Sequence, residues 1–157
     1  SGNTNRVIGS ADVDSTSVGA ELIINEGGEI GYVQSGTRTS LPNFNPGSSN
    51  SWGAPADFDD DGTAEIPFVS GSSIVRITEP NTAGTSKIGN GDVAKASPLS
   101  NIDYDDDGLP EVVYVDSSTT ELKYIDGLEN GDGGIVKPVT DGNGNAVTSV
   151  DAPVGVA

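Results

Sequence analysis

The feature that most constrains this chain is an acidic segment that occurs twice. The two copies start 46 residues apart. The first copy, DFDDDGTAEI, runs from Asp57 to Ile66, and the second, DYDDDGLPEV, runs from Asp103 to Val112. Each copy follows a short Ala-, Ser- and Pro-containing segment and precedes two apolar runs that are separated by a polar turn. A fixed period of several tens of residues is typical of folds that stack equivalent supersecondary units. The sequence therefore predicts a repeat architecture.

The apolar runs that follow the acidic segments have the composition of β-strands. They are short, rich in Val, Ile, Tyr and Phe, and bounded by Gly, Ser and Asn. The runs are Glu65–Val69, Ser73–Ile77, Glu111–Val115 and Glu121–Ile125. Within them, Val112–Val115 is apolar on both faces, which predicts a strand that is covered on both sides. Because each period has room for about four short antiparallel strands, we expect an all-β fold of β-propeller-type blades.

An eroded earlier copy extends the pattern to about three repeats. Ser10–Asp14, Ala20–Ile24 and Glu29–Val33 take the places of the acidic segment and the two strands, with one extra residue before the first strand. In this copy Ser and Thr replace the central acids, so Asp12 and Asp14 fit a solvated turn better than a metal site. The single domain 1–157 divides into repeats at approximately 6–51 (degenerate), 52–96 and 97–142, and 143–157 starts a further repeat or forms a closing strand.

Three blades correspond to a partial or open propeller, because closed propellers contain about four to eight. An open arc leaves apolar faces bare at both ends, which soluble monomers seldom tolerate. We therefore expect either that the chain is part of a longer polypeptide or that a partner or copies of itself cover those faces. Near the end, GIVKPV and AVTSV flank TDGNGN as a predicted hairpin.

The composition excludes several classes of function. The chain contains no Cys, His or Met, which rules out disulfides, thiolate or imidazole metal sites, and Ser-His or Cys-His catalysis. Any metal must be bound by oxygen, which favours hard cations. The formal net charge of −17 argues against binding to nucleic acid and to anionic membrane surfaces. The acidity is typical of either a solvated surface or adaptation to high salt.

Each acidic segment has the ligand spacing of a cation-binding loop. Counting from its first Asp, carboxylates occupy positions 1, 3, 5 and 9, and a Gly that permits a positive φ occupies position 6. A backbone carbonyl at position 7 brings the total to roughly six or seven oxygens, which suits Ca²⁺ better than Mg²⁺. Without a cation, the clustered carboxylates would raise one another's pKa. The candidate metal ligands are Asp57, Asp59, Asp61, Thr63 (carbonyl) and Glu65, and Asp103, Asp105, Asp107, Leu109 (carbonyl) and Glu111.

The flanking residues discriminate between families of calcium loop. An EF-hand requires a bidentate Glu at position 12, where this chain has Phe68 and Tyr114, and its loops are flanked by strands rather than helices. The segments Trp52–Val69 and Leu99–Val115 instead resemble the FG-GAP repeat of integrin-α-type β-propellers and related cell-surface proteins. That resemblance implies a loop that joins the first two strands of a blade and binds calcium through the residues named above. The chain departs from the family pattern by placing Glu rather than Asp at position 9.

The resemblance also implies a function. We expect an extracellular or cell-surface module that is not an enzyme, that is stabilised by two Ca²⁺ ions and that binds a protein or a glycan. An alternative is a self-assembling subunit of a surface layer, filament or viral appendage. A fragment of a propeller enzyme is disfavoured, because the chain lacks His and Cys and its carboxylate clusters are already assigned to calcium.

Overall fold

The computed structural model shows an all-β chain. It describes residues 6–13, 21–26, 29–40, 52–70, 73–78, 84–88, 99–128 and 133–148. Over these residues the strands are β1 (Arg6–Ala11), β2 (Glu21–Glu26), β3 (Glu29–Gln34), β4 (Thr37–Ser40), β5 (Ile66–Ser70), β6 (Ser73–Thr78), β7 (Gly84–Ile88), β8 (Ser100–Ile102), β9 (Glu111–Val115), β10 (Leu122–Asp126) and β11 (Ile135–Pro138). Within the described ranges, no helix is long and apolar enough to cross a membrane.

The strands form three antiparallel sheets in chain order. The first sheet has the order β1-β2-β3-β4, the second has β5-β6-β7, and the third has β11-β10-β9-β8. Every strand therefore pairs with its neighbour in sequence, as expected for short strands joined by tight turns. The segment before β5 also lies against it, through single antiparallel bridges from Trp52 to Phe68 and from Ala56 to Glu65. The all-β prediction is confirmed, while the assembly of these sheets into propeller blades stays a prediction.

A hydrophobic cluster joins the first sheet to the second. From the first sheet and the loop after β1 it contains Val13, Ile23, Ile30 and Tyr32, and from the second sheet and the loop before β5 it contains Ala64, Ile66 and Phe68. Trp52 packs against this cluster and stacks on Phe68, with ring centroids 5.1 Å apart. A Cβ atom at Gly9 would lie only 2.5 Å from Cδ of Pro55, so glycine permits the close approach of β1 to the segment before β5.

A separate cluster joins the second sheet to the third. Its members are Phe58, Val69, Ile74, Leu99, Val112, Tyr114, Ile125 and Leu128. Successive side chains of a strand point to opposite faces, so Phe68 contacts the first cluster while Val69 contacts the second. In β9, Val112 and Tyr114 are fully buried and Val113 is 9% exposed. The prediction that this strand is covered on both sides is confirmed for its central residues.

A buried aspartate organises the turn between β9 and β10. Oδ1 of Asp116 accepts hydrogen bonds from the backbone N–H groups of Ser118 (2.8 Å) and Thr119 (3.1 Å), and Nζ of Lys123 donates to Oδ2 at 2.7 Å. Burial by itself raises the pKa of Asp116, but the hydrogen bonds from Lys123, Ser118 and Thr119 outweigh it and lower that pKa well below its ordinary value. The carboxylate therefore stabilises this turn in its charged form.

The end of the described chain turns back as the sequence predicts. Thr140 and Ala146 form an antiparallel bridge, and the N–H of Gly144, at a φ of 82°, donates to the carbonyl of Asp141. The returning strand lies beside β10, because the N–H of Leu122 donates to the carbonyl of Val147 at 2.8 Å. Residues 149–157, which complete the predicted closing segment, lie outside the described residues.

We predict that truncation of Ile66 disrupts the packing between the first and second sheets. Ile66 is 0% exposed, and an Ile→Ala change in a core costs about 2–5 kcal/mol through lost transfer free energy and a residual cavity. Ile135 is 65% exposed, so Ile135→Ala provides a matched control with an expected change within about 0.5 kcal/mol. Urea unfolding at one fixed calcium concentration measures both changes. Equal losses in the free energy of unfolding for Ile66→Ala and Ile135→Ala would contradict the packing of Ile66 between the first and second sheets.

We predict that Asp116→Asn lowers the free energy of unfolding at pH 7 by about 1–3 kcal/mol, because it weakens the hydrogen bonds to Lys123 and the turn. The pKa of Asp116 is lower in the folded state than the unfolded value of about 3.9, so its contribution is complete above that pH. It declines as the pH falls from about 4 toward the folded-state pKa. Urea unfolding from pH 7 to pH 3 tests this, with exposed Glu29→Gln as control. The prediction would be contradicted if the wild type exceeded Asp116→Asn in free energy of unfolding by the same amount at every pH.

Candidate metal centre

The two acidic loops have the same backbone structure. In the loop Asp57–Glu65, Asp57 accepts hydrogen bonds from the N–H groups of Asp61 (3.1 Å) and Gly62 (2.9 Å), and Asp61 accepts one from Thr63 (2.8 Å). The loop Asp103–Glu111 repeats all three contacts at the corresponding positions, at 3.1, 3.1 and 2.9 Å. Side chains at positions 1 and 5 therefore shape the turn by accepting hydrogen bonds from the backbone that follows them, as Asp commonly does in turns.

Two positions in each loop have a left-handed backbone. Gly62 and Gly108, at position 6, have φ values of 90° and 97°, as the sequence predicts. Asp60 and Asp106, at position 4, have φ values of 59° and 65°, which sequence reasoning did not anticipate. Asp tolerates this region better than most residues, so its presence there is the available signal. Both position 4 side chains are exposed to solvent, as expected for acids outside the ligand set.

The loops bring all eight predicted side-chain ligands into two clusters. In each cluster, one carboxylate oxygen from each of positions 1, 3, 5 and 9 lies within 4.8 Å of the others. The glutamates at position 9 are buried, at 0% exposure for Glu65 and 3% for Glu111. Oδ1 of Asp59 and Oε1 of Glu65 each expose less than 1 Å². An all-oxygen donor set of this density fits a hard divalent cation.

The position 7 residues lie at the closing end of each loop. Thr63 is buried and Leu109 is half-buried, and the N–H of each donates to the Asp at position 5. Their carbonyl groups stay predicted ligands, and so does the ligand role of the eight carboxylates.

Glutamate at position 9 also connects the two ends of its loop. Oε2 of Glu65 accepts a hydrogen bond from the N–H of Phe58 at 2.8 Å, and Oε2 of Glu111 accepts one from the N–H of Tyr104 at 2.6 Å. Both donors occupy position 2. The Glu side chain thus spans from the start of the following strand to the start of the loop. We call this contact the position 9 clamp.

The first repeat contains the same clamp, which sequence reasoning missed. Oε2 of Glu21 accepts a hydrogen bond from the N–H of Val13 at 3.0 Å, and Oε1 of the same side chain accepts one from Nε2 of Gln34 at 2.9 Å. Glu21 is only 1% exposed. The available signal was a Glu immediately before an apolar strand in all three repeats, but the extra residue in the first repeat moves Glu21 out of the nine-residue spacing.

Asp12 connects the first repeat to the next one through its backbone. Asp12 is half-buried, and its backbone carbonyl accepts a hydrogen bond from the N–H of Ala64 at 2.7 Å, which links the first repeat to the loop Asp57–Glu65. Asp14 lies outside the described residues. Among the acids that the structure describes, only the loops Asp57–Glu65 and Asp103–Glu111 form groups able to hold a metal ion.

Electrostatic repulsion is evident in the loop Asp103–Glu111. Burial raises the pKa of Glu111, the N–H of Tyr104 opposes that shift, and neighbouring Asp105 and Asp107 raise it further. The pKa of Asp105 is raised in turn by desolvation and then by Asp107. These directions match the expectation that the clustered carboxylates raise one another's pKa. A bound cation would reverse both shifts by favouring the charged forms.

An ion pair that the sequence did not reveal lies beside this loop. Asp126, at the end of β10, forms a salt bridge with Lys137, whose ammonium group is 5.9 Å from the ring centroid of Tyr124. Asp126 raises the pKa of Asp105 and Lys137 lowers it, so the two charges act in opposite directions at the loop. The two charges of this pair therefore partly cancel at the loop.

Comparison with known proteins gives no match to a protein-family model, to a curated protein or to a solved structure. The resemblance to FG-GAP repeats accordingly stays a prediction, which rests on the residues of the two loops and the strands around them.

We predict that the clamp of the first repeat stabilises the protein without a metal. Glu21→Ala removes the acceptor for the buried N–H of Val13 and for the Gln34 amide, which should lower the free energy of unfolding by about 1–3 kcal/mol. The loss should be present in excess chelator, where neither acidic loop holds a metal ion. Exposed Glu29→Ala is the control, and urea unfolding is the measurement. A loss that calcium restores would contradict a metal-independent clamp.

Proposed function

We propose that this chain is a calcium-stabilised structural module in which each of the two acidic loops binds one Ca²⁺. The observation that carries the proposal is the convergence of four carboxylate groups within 4.8 Å in each of two loops that are 46 residues apart. Negative charges at that separation repel one another strongly unless a cation compensates them. Ca²⁺ accepts six to eight oxygen ligands in flexible geometry, which suits three Asp side chains, one Glu side chain and a backbone carbonyl.

The residues of each loop have distinct tasks in this proposal. Asp at positions 1 and 5 would bind the cation while accepting hydrogen bonds from the loop backbone, and Asp at position 3 would supply a further carboxylate ligand. Glu at position 9 would join the cation to the start of the next strand and, through the clamp, to position 2. The carbonyl of Thr63 or Leu109 would complete the set. When bound, Ca²⁺ supplies the positive charge that allows all of these groups to stay ionised together.

The effect of the cation would reach the core through position 2. Phe58, whose N–H donates to Glu65, is 1% exposed and packs in the cluster between the second and third sheets. A cation that orders the loop would therefore also hold this aromatic side chain in place. Binding to the folded state alone stabilises by RT ln(1 + [Ca²⁺]/Kd), or about 2.7 kcal/mol per site at a hundredfold excess over Kd.

The wider setting belongs to the same proposal. We infer that the sheets are blades of an FG-GAP-like β-propeller from an extracellular or cell-surface protein, where modules that bind calcium at about 10⁻⁴–10⁻³ M are common. The consecutive antiparallel sheets and the loop spacing support this inference. The loop surfaces of such a module suit adhesion to a protein or a glycan. We propose no catalytic role, because the chain lacks His and Cys and its acidic clusters are assigned to calcium.

Self-assembly is the second candidate, and the outer face of the third sheet favours it. Ile102 and Ile135 are 51% and 65% exposed. Ile102 pairs with Glu111, and Ile135 pairs with Asp126. The strand neighbours of these two acids, Val112 and Ile125, point into the core that faces the second sheet. Both isoleucines therefore lie on the face that points away from the second sheet. Light scattering distinguishes the two candidates, because self-assembly requires a mass that rises with protein concentration.

We predict that calorimetric titration detects two calcium ions per chain. Asp59→Ala should remove one, and Asp59→Ala combined with Asp105→Ala should remove both, because each substitution takes a carboxylate out of one cluster. Asp60→Asn and Asp106→Asn are matched controls, since they remove one charge from the same loops at exposed position 4. Asn also tolerates the left-handed backbone there. The absence of wild-type binding at millimolar calcium would refute the proposal.

We predict further that calcium acts on stability. Excess chelator should lower the melting temperature of the wild type, because each lost ion removes the binding term described above. The double variant should melt at the same temperature with and without calcium. A wild-type melting curve that chelator leaves unchanged would argue against a structural role for the ions.

A further inference from the structure

We propose that the two calcium sites are unequal, and that the loop Asp57–Glu65 binds calcium about tenfold more tightly than the loop Asp103–Glu111 and fills first. This inference rests on the proposed function, because it assumes that both loops bind calcium. Their sequences do not predict a difference, since the side-chain ligands are the same at positions 1, 3, 5 and 9. The difference arises from what surrounds each loop.

The first observation is the exposure of the ligands. Asp57 and Asp59 are half-buried in their loop, whereas the corresponding Asp103 and Asp105 are exposed. At position 7, Thr63 is buried and Leu109 is half-buried. The attraction between a cation and a carboxylate grows as the effective dielectric falls, so the same charges attract calcium more strongly in the less hydrated loop.

The second observation is a backbone hydrogen bond that only one of the loops can form at position 8. The N–H of Ala64 donates to the carbonyl of Asp12 at 2.7 Å, and Ala64 lies between the ligand positions Thr63 and Glu65. In the other loop position 8 is Pro110, which has no N–H to donate. The closing end of the loop Asp57–Glu65 is therefore attached to the first repeat before any cation binds.

The segment that provides this attachment is itself independent of metal. Val13, next to Asp12, donates its N–H to Glu21, and Gln34 donates to the other oxygen of that carboxylate. In the first repeat, both oxygens of the clamp glutamate Glu21 thus accept hydrogen bonds, one from the N–H of Val13 and one from the side-chain amide of Gln34. A ligand frame that is ordered in advance loses less conformational entropy on binding, which raises affinity without any additional ligand.

The acid beside the exposed loop is paired with a base. The carboxylate of Asp126 forms a salt bridge with the ammonium group of Lys137, so the two charges act in opposite directions on a cation at that loop. The lower exposure of its ligands and the hydrogen bond from Ala64 to Asp12 therefore both favour tighter calcium binding by the loop Asp57–Glu65.

The test is calorimetric titration of the full chain with CaCl₂. Asp105→Ala leaves the loop Asp57–Glu65 alone, Asp59→Ala leaves the loop Asp103–Glu111 alone, and the position 4 variants Asp60→Asn and Asp106→Asn retain both. We expect a Kd about tenfold lower in Asp105→Ala than in Asp59→Ala, and two phases in the wild type. The wild-type titration keeps the proposal testable if either Ala variant fails to fold, because a single class of two equal sites would refute it.

The cause is tested by adding Gln34→Ala to each single-site variant. Loss of the amide donor should loosen the frame around Asp12 and weaken binding in the Asp105→Ala background, while Kd in the Asp59→Ala background stays unchanged. A general loss of stability would weaken both. Equal wild-type sites, tighter binding in Asp59→Ala, or equal effects of Gln34→Ala would overturn the inference and leave the proposed function standing. The absence of calcium binding in every variant and in the wild type would overturn both.

Discussion

The rest of this structure depends on a buried glutamate that accepts a backbone hydrogen bond across its own loop. Glu21 and Glu111 are the first residues of β2 and β9, and Glu65 immediately precedes β5. Each is at most 3% exposed and accepts the N–H of a residue at the start of the preceding loop. A buried carboxylate is costly unless its charge is compensated. Every repeat therefore has to supply this side chain with further donors or positive charge.

The repeats meet that requirement in different ways. In the first repeat the amide of Gln34 donates to the second oxygen of Glu21. In the other two repeats the glutamate belongs to a cluster of four carboxylates, where the compensation we propose is a calcium ion. The clamp of the first repeat thus has a side-chain amide donor where the other two adjoin a carboxylate cluster, and Asp12 beside it accepts the hydrogen bond from Ala64 of the adjacent loop.

The clamp also connects the loops to the packing of the sheets. The residue that donates to the glutamate carries a side chain into the adjoining core, as Val13 does between the first and second sheets and Phe58 does between the second and third. Tyr104 donates to the glutamate of the third repeat, and its side chain packs against the third sheet. Its ring centroid is 4.6 Å from that of Tyr124, and its hydroxyl oxygen accepts a hydrogen bond from the N–H of Thr140 at 3.1 Å. Loop order and sheet packing are therefore coupled by one residue per repeat.

The sequence by itself determined the period of 46 residues, the strands that follow each acidic segment, the glycine at position 6 and the eight carboxylates that converge. These features are local, because a short loop that starts and ends at fixed strands leaves its alternate side chains few directions. Only the tertiary structure decided the role of Glu21, since an inserted residue hides its spacing and its partner Gln34 is contributed by another strand. The unequal burial of the two loops and the bond from Ala64 to Asp12 likewise depend on which sheet packs beside each loop, because burial and long-range hydrogen bonds are set by neighbours distant in the chain.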